Sequence, residues 1–214
     1  MSNVSSINLT FARENGSAKD WVSLYCSAFD AEQRQPVADV RELIDGERIL
    51  LFTVREASGK IRAFALVSIH NERELHFANL DFTAVTVKNR CQGIGTALVQ
   101  HVCAYLRENY PQCAALTIEM DRRNEPGIST EEAEIRHRRA SFYARLGAKP
   151  LAVDYYILSF DNPEYRGAAE WWSIDFGGEF DVKEAVYAFY TSEAGYALSA
   201  DNAAVQEVMN QFAG

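Results

Sequence analysis

The residues best suited to chemistry form one short glycine-bearing turn, Arg90-Cys91-Gln92-Gly93-Ile94-Gly95-Thr96. An apolar run over residues 82–87 precedes this turn, and apolar residues at spacings of three and four follow it, which predicts a strand, a turn and a helix. The first N–H groups of a helix lack partners and carry partial positive charge. Glycines let such a backbone approach a ligand closely. The turn therefore predicts a site for a phosphate or pyrophosphate group.

The glycine spacing excludes two common phosphate sites. A dinucleotide fingerprint needs a third glycine where Leu98 stands, and a Walker-type loop needs Gly-Lys-Ser/Thr, which is absent. What remains is Arg90-x-x-Gly93-x-Gly95 after a strand that ends near Val85. This pattern resembles the pyrophosphate loop of the GNAT superfamily of N-acetyltransferases, which bind acetyl-coenzyme A.

A second segment resembles the same family. Residues 140–148 read as a helix closed by Gly147, the residue suited to a left-handed cap. This segment is similar to the family helix that ends in Tyr-x-x-x-Gly beside the thiol end of the cofactor, with Tyr143 as its tyrosine. The two signatures occur in the family order, with a predicted strand over residues 114–120 between them.

The order of predicted elements agrees with this resemblance over residues 7–160. It implies an α/β (α+β) fold: a mixed, mostly antiparallel central sheet with splayed strands, flanked by helices. We assign residues 1–160 to this GNAT-like domain. Residues 161–214 form a C-terminal extension, an aromatic-rich loop and two helices, packed on the same domain. The aromatic stretch, residues 165–180, is expected to be irregular and to fold over the acceptor or acyl end of the cleft, or else to form a dimer contact. Its aromatic residues are Tyr165, Trp171, Trp172, Phe176 and Phe180.

The resemblance also implies roles for individual residues. Backbone groups around Val85 and Val87 are expected to bind the pantetheine arm, and the turn itself to bind the pyrophosphate. Many family members carry proline where Val87 stands. Tyr143 occupies the position of the general acid that protonates the coenzyme A thiolate. Cys91 departs from the family, which usually has glycine there, and is tolerable if its φ is negative.

The helix that precedes Gly147 begins at a predicted capping box, Ser129 with Glu132. Three arginines of this helix are expected either to reach cofactor phosphates or substrate carboxylates, or to form a solvated basic face. They are Arg136, Arg138 and Arg139.

An attacking amine must lose a proton, and two strand carboxylates are candidates to take it. Strand alternation puts Asp81, Thr83 and Val85 on one face. Glu119 lies on the face opposite Leu116, Ile118 and Met120. The sequence does not decide between Asp81 and Glu119.

Composition limits the function further. The 214 residues carry a net charge of −9, which argues against nucleic-acid binding and is compatible with a cationic substrate in an acidic cleft. No apolar run is long enough to span a bilayer, so no membrane partner is expected. The four cysteines lack metal-ligand spacing and are interpreted as reduced thiols of a cytoplasmic protein.

These observations predict an N-acyltransferase that moves an acetyl or longer acyl group from acyl-coenzyme A to a primary amine by direct attack. The amine belongs to a small molecule or a peptide, and a homodimer is the second choice for covering the extension. Two alternatives remain open: a non-catalytic acyl-coenzyme A-binding regulatory module, and long-chain acyl transfer to a lysine-like side chain of a peptide.

Overall fold

The computed structural model describes residues 9–18, 20–72, 75–159 and 166–213. These residues form one eight-stranded sheet in the order β1-β2-β3-β4-β5-β8-β6, with β7 also paired to β8. All paired strands are antiparallel except β4 and β5. The predicted mixed, mostly antiparallel sheet is therefore confirmed. The strands are β1 Leu9–Glu14, β2 Ile49–Glu56, β3 Ile61–Glu72, β4 Leu75–Val85, β5 Ala115–Asp121, β6 Lys149–Pro150, β7 Tyr155–Leu158 and β8 Arg166–Asp175.

Helices cover both faces of the sheet. Helices α3 and α4 share an apolar cluster with Leu80 of β4 and Ile118 of β5. On the opposite face, α1 and α2 pack over Phe64 and Leu66 of β3, and α5 and α6 pack over Phe77 of β4 and neighbouring residues of β7 and β8. The described helices are α1 Asp20–Ala28, α2 Val37–Asp45, α3 Ile94–Asn109, α4 Thr130–Arg145, α5 Val182–Thr191 and α6 Ala203–Asn210.

The predicted separation of two strands is visible in their register. Strands β4 and β5 pair only at Ala78–Leu116 and Asn79–Thr117. Strand β4 then runs on to Val85, and β5 to Asp121. Beyond the two pairs the strands diverge, which leaves an edge of each strand open to a ligand.

A β-bulge interrupts β4 where this divergence begins. Leu66 of β3 pairs with Phe82 and Val67 pairs with Leu80, so Asp81 has no residue opposite it. The extra residue changes which side chains face which way. Leu80 lies in the cluster beneath α3 and α4, whereas Phe82 packs in the cluster beneath α1 and α2. The prediction that Asp81 shares a face with Thr83 and Val85 is therefore wrong, because simple alternation assumed an unbroken strand.

The C-terminal segment differs from the prediction in one respect. Residues 166–175, predicted to be part of an irregular loop, form strand β8, which pairs with β5 along seven residues. Trp171 and Trp172 are buried on opposite faces of the sheet, because successive strand residues point to opposite sides. They are core residues, so they cannot form the predicted lid. Tyr165, and the boundary proposed between residues 160 and 161, lie outside the described residues.

The two predicted C-terminal helices are present as α5 and α6, and they pack on the sheet. Phe180 packs in the same cluster, while Phe176 packs beside the cluster of α3. Within the described ranges, no helix combines the length and the apolar character needed to cross a lipid bilayer.

Candidate active site

The predicted phosphate turn leads into α3 through two left-handed residues. Gly93 is the N-cap, with φ of 78°, and Cys91 has φ of 61°. The condition under which Cys91 would be tolerated without strain, a negative φ, is therefore not met; this position adopts the conformation that glycine takes at least cost. The N-cap supplies no side-chain hydrogen bond, and the first helical bond is from the N–H of Ala97 to the carbonyl of Gly93. The N–H groups of residues 94–96 therefore remain available to an anion.

A cavity of about 690 Å³ lies against this helix start. Seven of the nine residues predicted to bind the cofactor line it, namely Val85, Arg90, Cys91, Gly93, Ile94, Gly95 and Thr96. The structure does not place the other two in the lining: Val87 is 75% exposed in a short 3-10 turn, and the Gln92 amide donates to the carbonyl of Lys88 at 3.0 Å. Arginines of α4 face the same cavity and add positive charge: Arg138, Arg139 and Arg145.

The open edge of β4 borders this cavity. The N–H of Thr86 donates to the carbonyl of Arg62, so it points towards β3. Because backbone groups alternate along an antiparallel strand, the N–H and carbonyl of Val85 point the other way, towards the gap between β4 and β5. The Nε of Arg90 reaches that carbonyl at 3.4 Å. Val85 thus offers backbone hydrogen bonds where an extended ligand arm could pair with the strand.

A second cavity, of about 490 Å³, continues through the gap. Asp81 and Thr83 of β4 and Ile118 and Glu119 of β5 line it, together with residues from the C-terminal segment. The two cavities share four lining residues: Phe29, Thr83, Arg139 and Tyr143. One cavity therefore presents backbone N–H groups and arginines, the other presents carboxylates, and they meet beside Tyr143.

Tyr143 is held at this junction by the end of α4. The helix begins at Ser129, whose hydroxyl accepts from the N–H of Glu132 as predicted, and it closes at Gly147, with φ of 92°. The N–H of Ala148 donates back to the Tyr143 carbonyl at 3.1 Å. The side chain is 5% exposed, and burial raises the pKa of its phenol to about 12.

Glu119 receives two phenolic hydrogen bonds. The hydroxyls of Tyr155 and Tyr196 donate to its Oε1 at 2.7 and 3.0 Å. Burial raises the pKa of Glu119 to about 7, although both phenols act to lower it. The carboxyl therefore changes its protonation state near neutral pH, where a general base is most effective.

Asp81 lies on the same side of the sheet, in the bulge. Ser68 and Asn79 both donate to its Oδ1 at 2.8 Å. Its Oδ2 is buried and has no hydrogen-bond partner among the described residues. Burial raises the pKa of Asp81 to about 8, and the nearby charge of Glu119 acts in the same direction.

The partners of these carboxylates were not predicted from the sequence. Tyr155 lies in the short strand β7, and Tyr196 lies in a segment after α5 that carries no recognisable motif. Ser68 and Asn79 read as polar interruptions of strands β3 and β4. Polar residues inside otherwise apolar strands were the available signal, because buried polar groups need partners.

The three α4 arginines have different surroundings, and Arg136 fits neither predicted outcome. Arg136 is a structural residue that bonds Glu125 at 2.7 Å and Glu132 at 2.8 Å. Arg139 bonds Asp121 at 2.7 Å at the junction of the cavities. Arg138 lines the cavity of the helix start, where a phosphate would benefit from its charge.

Comparisons with known proteins agree with this geometry. The family model described as "Acetyltransferase (GNAT) family" matches residues 18–130, so the chain belongs to the GNAT acetyltransferase family. This membership confirms the predicted class, an acyl-coenzyme A-dependent N-acyltransferase, with acyl-coenzyme A as the donor. A comparison with curated proteins gave no match.

Solved structures of low sequence identity share the fold. A putative acetyltransferase of the GNAT family from Bacteroides thetaiotaomicron is 19% identical, with a TM-score of 0.64 over 87% of this chain and 98% of the other. Arabidopsis thaliana NAA60 in complex with acetyl-CoA is 13% identical, with a TM-score of 0.59 over 79% and 99%. The ribosomal-protein-S18-alanine N-acetyltransferase from Escherichia coli is 20% identical, with a TM-score of 0.52 over 82% and 98%.

Proposed function

We propose that this chain transfers an acetyl group from acetyl-coenzyme A to a primary amine, which attacks the thioester directly. The observation that carries the proposal is the meeting of two chemically different cavities beside Thr83 and Tyr143. One cavity suits an anionic, extended donor, and the other suits a cationic acceptor. Acetyl-coenzyme A supplies the thioester carbonyl when it is bound.

The chain's own groups fit the donor. The free N–H groups of residues 94–96 suit the pyrophosphate, and Arg90, Arg138 and Arg145 add compensating charge around the same cavity. The backbone of Val85 suits the pantetheine arm, because its hydrogen-bonding groups face the gap between the strands. Gly93 has no side chain and so leaves the approach to the helix start open. The position that a β-carbon would occupy there faces empty space, with no other atom within 4 Å.

Glu119 is our choice for the base that takes the proton of the acceptor ammonium. Two phenols donate to its Oε1 and stabilise the ionised form, whereas Asp81 has a buried oxygen without a hydrogen-bond partner among the described residues, which disfavours ionisation. Asp81 remains the second acceptor at higher pH. The two carboxyls influence each other, so a pH profile reports them as a pair.

Tyr143 is the candidate acid for the departing thiolate. Its raised pKa makes it a weaker acid than an exposed phenol. Burial raises the pKa of a thiol as well, to about 11 for Cys103 and Cys113. Burial disfavours the charged form of a thiol in general, so a thiolate leaving into this enclosed junction would also be more basic than in water and able to accept the phenolic proton.

The charges of the second cavity favour a cationic amine as the acceptor. Among the described residues, Arg139 pairs with Asp121 and Arg136 with Glu132, which leaves Glu32 and the ionised fraction of Glu119 without an ion-pair partner. A primary amine of a small molecule or a peptide would neutralise this excess. One similar structure is named an alanine N-acetyltransferase, so peptides with a free N-terminal alanine belong in any screen.

The experiment compares donor binding in two glycine variants. Gly93→Asp puts a carboxylate at the helix start, while Gly59→Asp makes the same change at a similar φ, 82°, in a remote hairpin with equally open surroundings. Repulsion between like charges a few ångströms apart should weaken acetyl-coenzyme A binding at least about tenfold in the first variant only. Calorimetry measures the affinity, and mass spectrometry measures acetylated amines across the screen.

Equal affinity in Gly93→Asp and wild type would remove this cavity as the donor site. Normal donor binding without product from any amine would instead favour the non-catalytic binding module. The aromatic residues that suggested a longer acyl chain no longer favour one: Trp171 and Trp172 are core residues, and neither Phe176 nor Phe180 lines either cavity.

A further inference from the structure

A buried chain of hydrogen bonds connects Asp81 to the end of α5. The hydroxyl of Ser68 donates to Asp81 Oδ1 at 2.8 Å, and the Nε2 of His70 lies 2.9 Å from that hydroxyl. On the other side of the ring, Nδ1 lies 3.1 Å from the hydroxyl of Ser192. The N–H of Gly195 donates to the same Ser192 oxygen at 3.1 Å.

The direction of the hydrogens is fixed from the Asp81 end. Asn79 Nδ2 also donates to Oδ1, and the orientation of that amide is set because its oxygen accepts from Trp171 Nε1. Two donors converge on Oδ1, so this oxygen is the acceptor. The single proton of Ser68 is used on Asp81, and its oxygen must then accept from His70. His70 therefore carries its proton on Nε2, and Nδ1 accepts from Ser192.

The surroundings of His70 keep the ring uncharged and fix its orientation. It is 1% exposed, it stacks on Phe77 with ring centres 4.5 Å apart, and Phe189 meets it edge-on at 5.2 Å. The described side chains in contact with it are all uncharged. Burial lowers its pKa to about 3, so it does not gain a second proton near neutral pH.

We propose that His70 is a positioning residue: its Nε2–H donates to the Ser68 oxygen and holds the Ser68 proton on Asp81, so that Oδ1 is saturated and Oδ2 is the oxygen that gains and loses a proton beside the acceptor. The proposal rests on the proposed function. The other ring nitrogen accepts from Ser192, which lies outside the segment that matches the family model.

Two observations favour this role over a purely structural one. Burying a polar ring between Phe77 and Phe189 costs free energy unless both ring nitrogens have hydrogen-bond partners. Both nitrogens of His70 have such partners, whereas an apolar residue at this position would need none. The chain of donors also ends at a carboxyl whose other oxygen is buried and has no partner among the described residues, although Asp81 lines the acceptor cavity. Such an orphaned oxygen is expected where a ligand completes the network.

The test uses nuclear magnetic resonance on the full chain without an acyl donor. Long-range nitrogen–proton spectra of the histidine rings, assigned with His70→Gln, should show His70 protonated on Nε2. Ser68→Ala removes the acceptor of the Nε2–H group and should produce a mixture of the two tautomers. Ser192→Ala removes only the donor to Nδ1 and should leave the proton on Nε2, because the Ser68 oxygen still requires a donor. Ser68→Ala removes a donor to Asp81 and should raise the pKa of this carboxyl by roughly 1, read from its carbon shift and assigned with Asp81→Asn.

Phe77→Leu is the matched packing control, since it removes the stacked ring but no hydrogen bond. A proton on Nδ1 in the wild type would overturn the proposal without any variant. An unchanged tautomer in Ser68→Ala, or the same change in Phe77→Leu, would overturn it too. These spectra can be recorded without turnover. His70 protonated on Nε2, together with no acetylated product from any amine, would refute the proposed function but not the positioning role. Turnover with His70 protonated on Nδ1 would refute the positioning role alone.

The pH dependence of transfer provides a second measurement. The groups around Asp81 that influence its ionisation are Ser68 on β3, Asn79 on β4 and Glu119 on β5, and Asp81 in turn helps to raise the pKa of Tyr25 on α1. Ser68→Ala should move the limb of the pH–rate profile assigned to Asp81 to higher pH, by the same pKa change as in the spectra. The KM for the donor should be unchanged. A change in donor KM with an unmoved profile would indicate a packing defect and refute the role.

Discussion

Removal of one phenol tests the assignment of Glu119 as the base. Tyr196→Phe deletes the hydroxyl that donates to Glu119 Oε1 at 3.0 Å, while Tyr155 keeps its bond at 2.7 Å. A hydrogen bond to a charged group is worth roughly 1.5–3 kcal/mol, and 1.36 kcal/mol corresponds to a shift of 1 in pKa. The pKa of Glu119 should rise from about 7 to roughly 8–9, because the ionised form loses a donor.

The consequence is a displaced pH profile. The base acts when it is ionised, so kcat/KM falls on the acidic side of its pKa. At pH 7 the variant should be slower by a factor of roughly 5 to 50, and the rate should recover towards the wild-type value as the pH rises past about 9. Product should be measured by mass spectrometry, because Cys26 and Cys91 are exposed free thiols that would react with a thiol dye.

Tyr190→Phe is the matched control. Its hydroxyl also bonds the backbone of β7, accepting from the N–H of Tyr156 at 3.3 Å and donating to the Tyr156 carbonyl at 2.8 Å, but it makes no hydrogen bond to Glu119. Tyr196 similarly accepts from the N–H of Leu158. An unmoved acidic limb in Tyr196→Phe, or the same displacement in Tyr190→Phe, would refute Glu119 as the base and leave Asp81 as the candidate.

Three further outcomes are expected. Tyr143→Phe should lower turnover roughly 10- to 100-fold with donor affinity unchanged, and Tyr110→Phe should not; normal turnover with chemistry rate-limiting would exclude Tyr143 as the acid. The pKa of Asp81 is raised on folding, so its contribution to stability is lost as the pH rises from about 4 to about 8. Asp81→Asn should therefore lose roughly 4 kcal/mol less than wild type between pH 5 and 8.5 in denaturant titrations, and parallel curves would contradict the burial of this charge. Trp171→Ala should lower the free energy of unfolding by about 3–5 kcal/mol, because the side chain is fully buried, and a loss below about 1 kcal/mol would argue against β8 as a core strand.

The donor half of the site could be predicted from sequence because it depends on local backbone conformation. A helix start with Gly93 at positive φ and a helix end with Gly147 at positive φ are both encoded within a few residues. Short-range patterns of this kind survive without knowledge of the rest of the fold. The same patterns correctly predicted the strand faces of β5, where Glu119 lies opposite Leu116 and Ile118.

The acceptor half could not be predicted in the same way, because it depends on contacts distant in sequence. The bulge at Asp81 arises from the register between β3 and β4, and alternation along β4 alone gives the wrong face. Tyr196 reaches Glu119 across 77 residues of sequence, and Ser192 reaches His70 across 122. The aromatic residues of β8 were misread for a related reason: a strand buried on both faces lacks a polar side, so Trp171-Trp172 shows no alternation.

This division also follows the end of the segment that matches the family model. The segment that matches the family model, residues 18–130, contains the phosphate turn and both carboxylates. Tyr143, Tyr155, Tyr196 and the end of α5 all lie beyond it. Those later residues supply the acid candidate, the two phenols that donate to Glu119, and the far end of the hydrogen-bond chain that leads to Asp81. The C-terminal part therefore adjusts the protonation of carboxylates that the matched segment provides. We therefore expect the acceptor preference and pH dependence of this enzyme to follow changes after residue 130, while donor affinity follows changes in the turn.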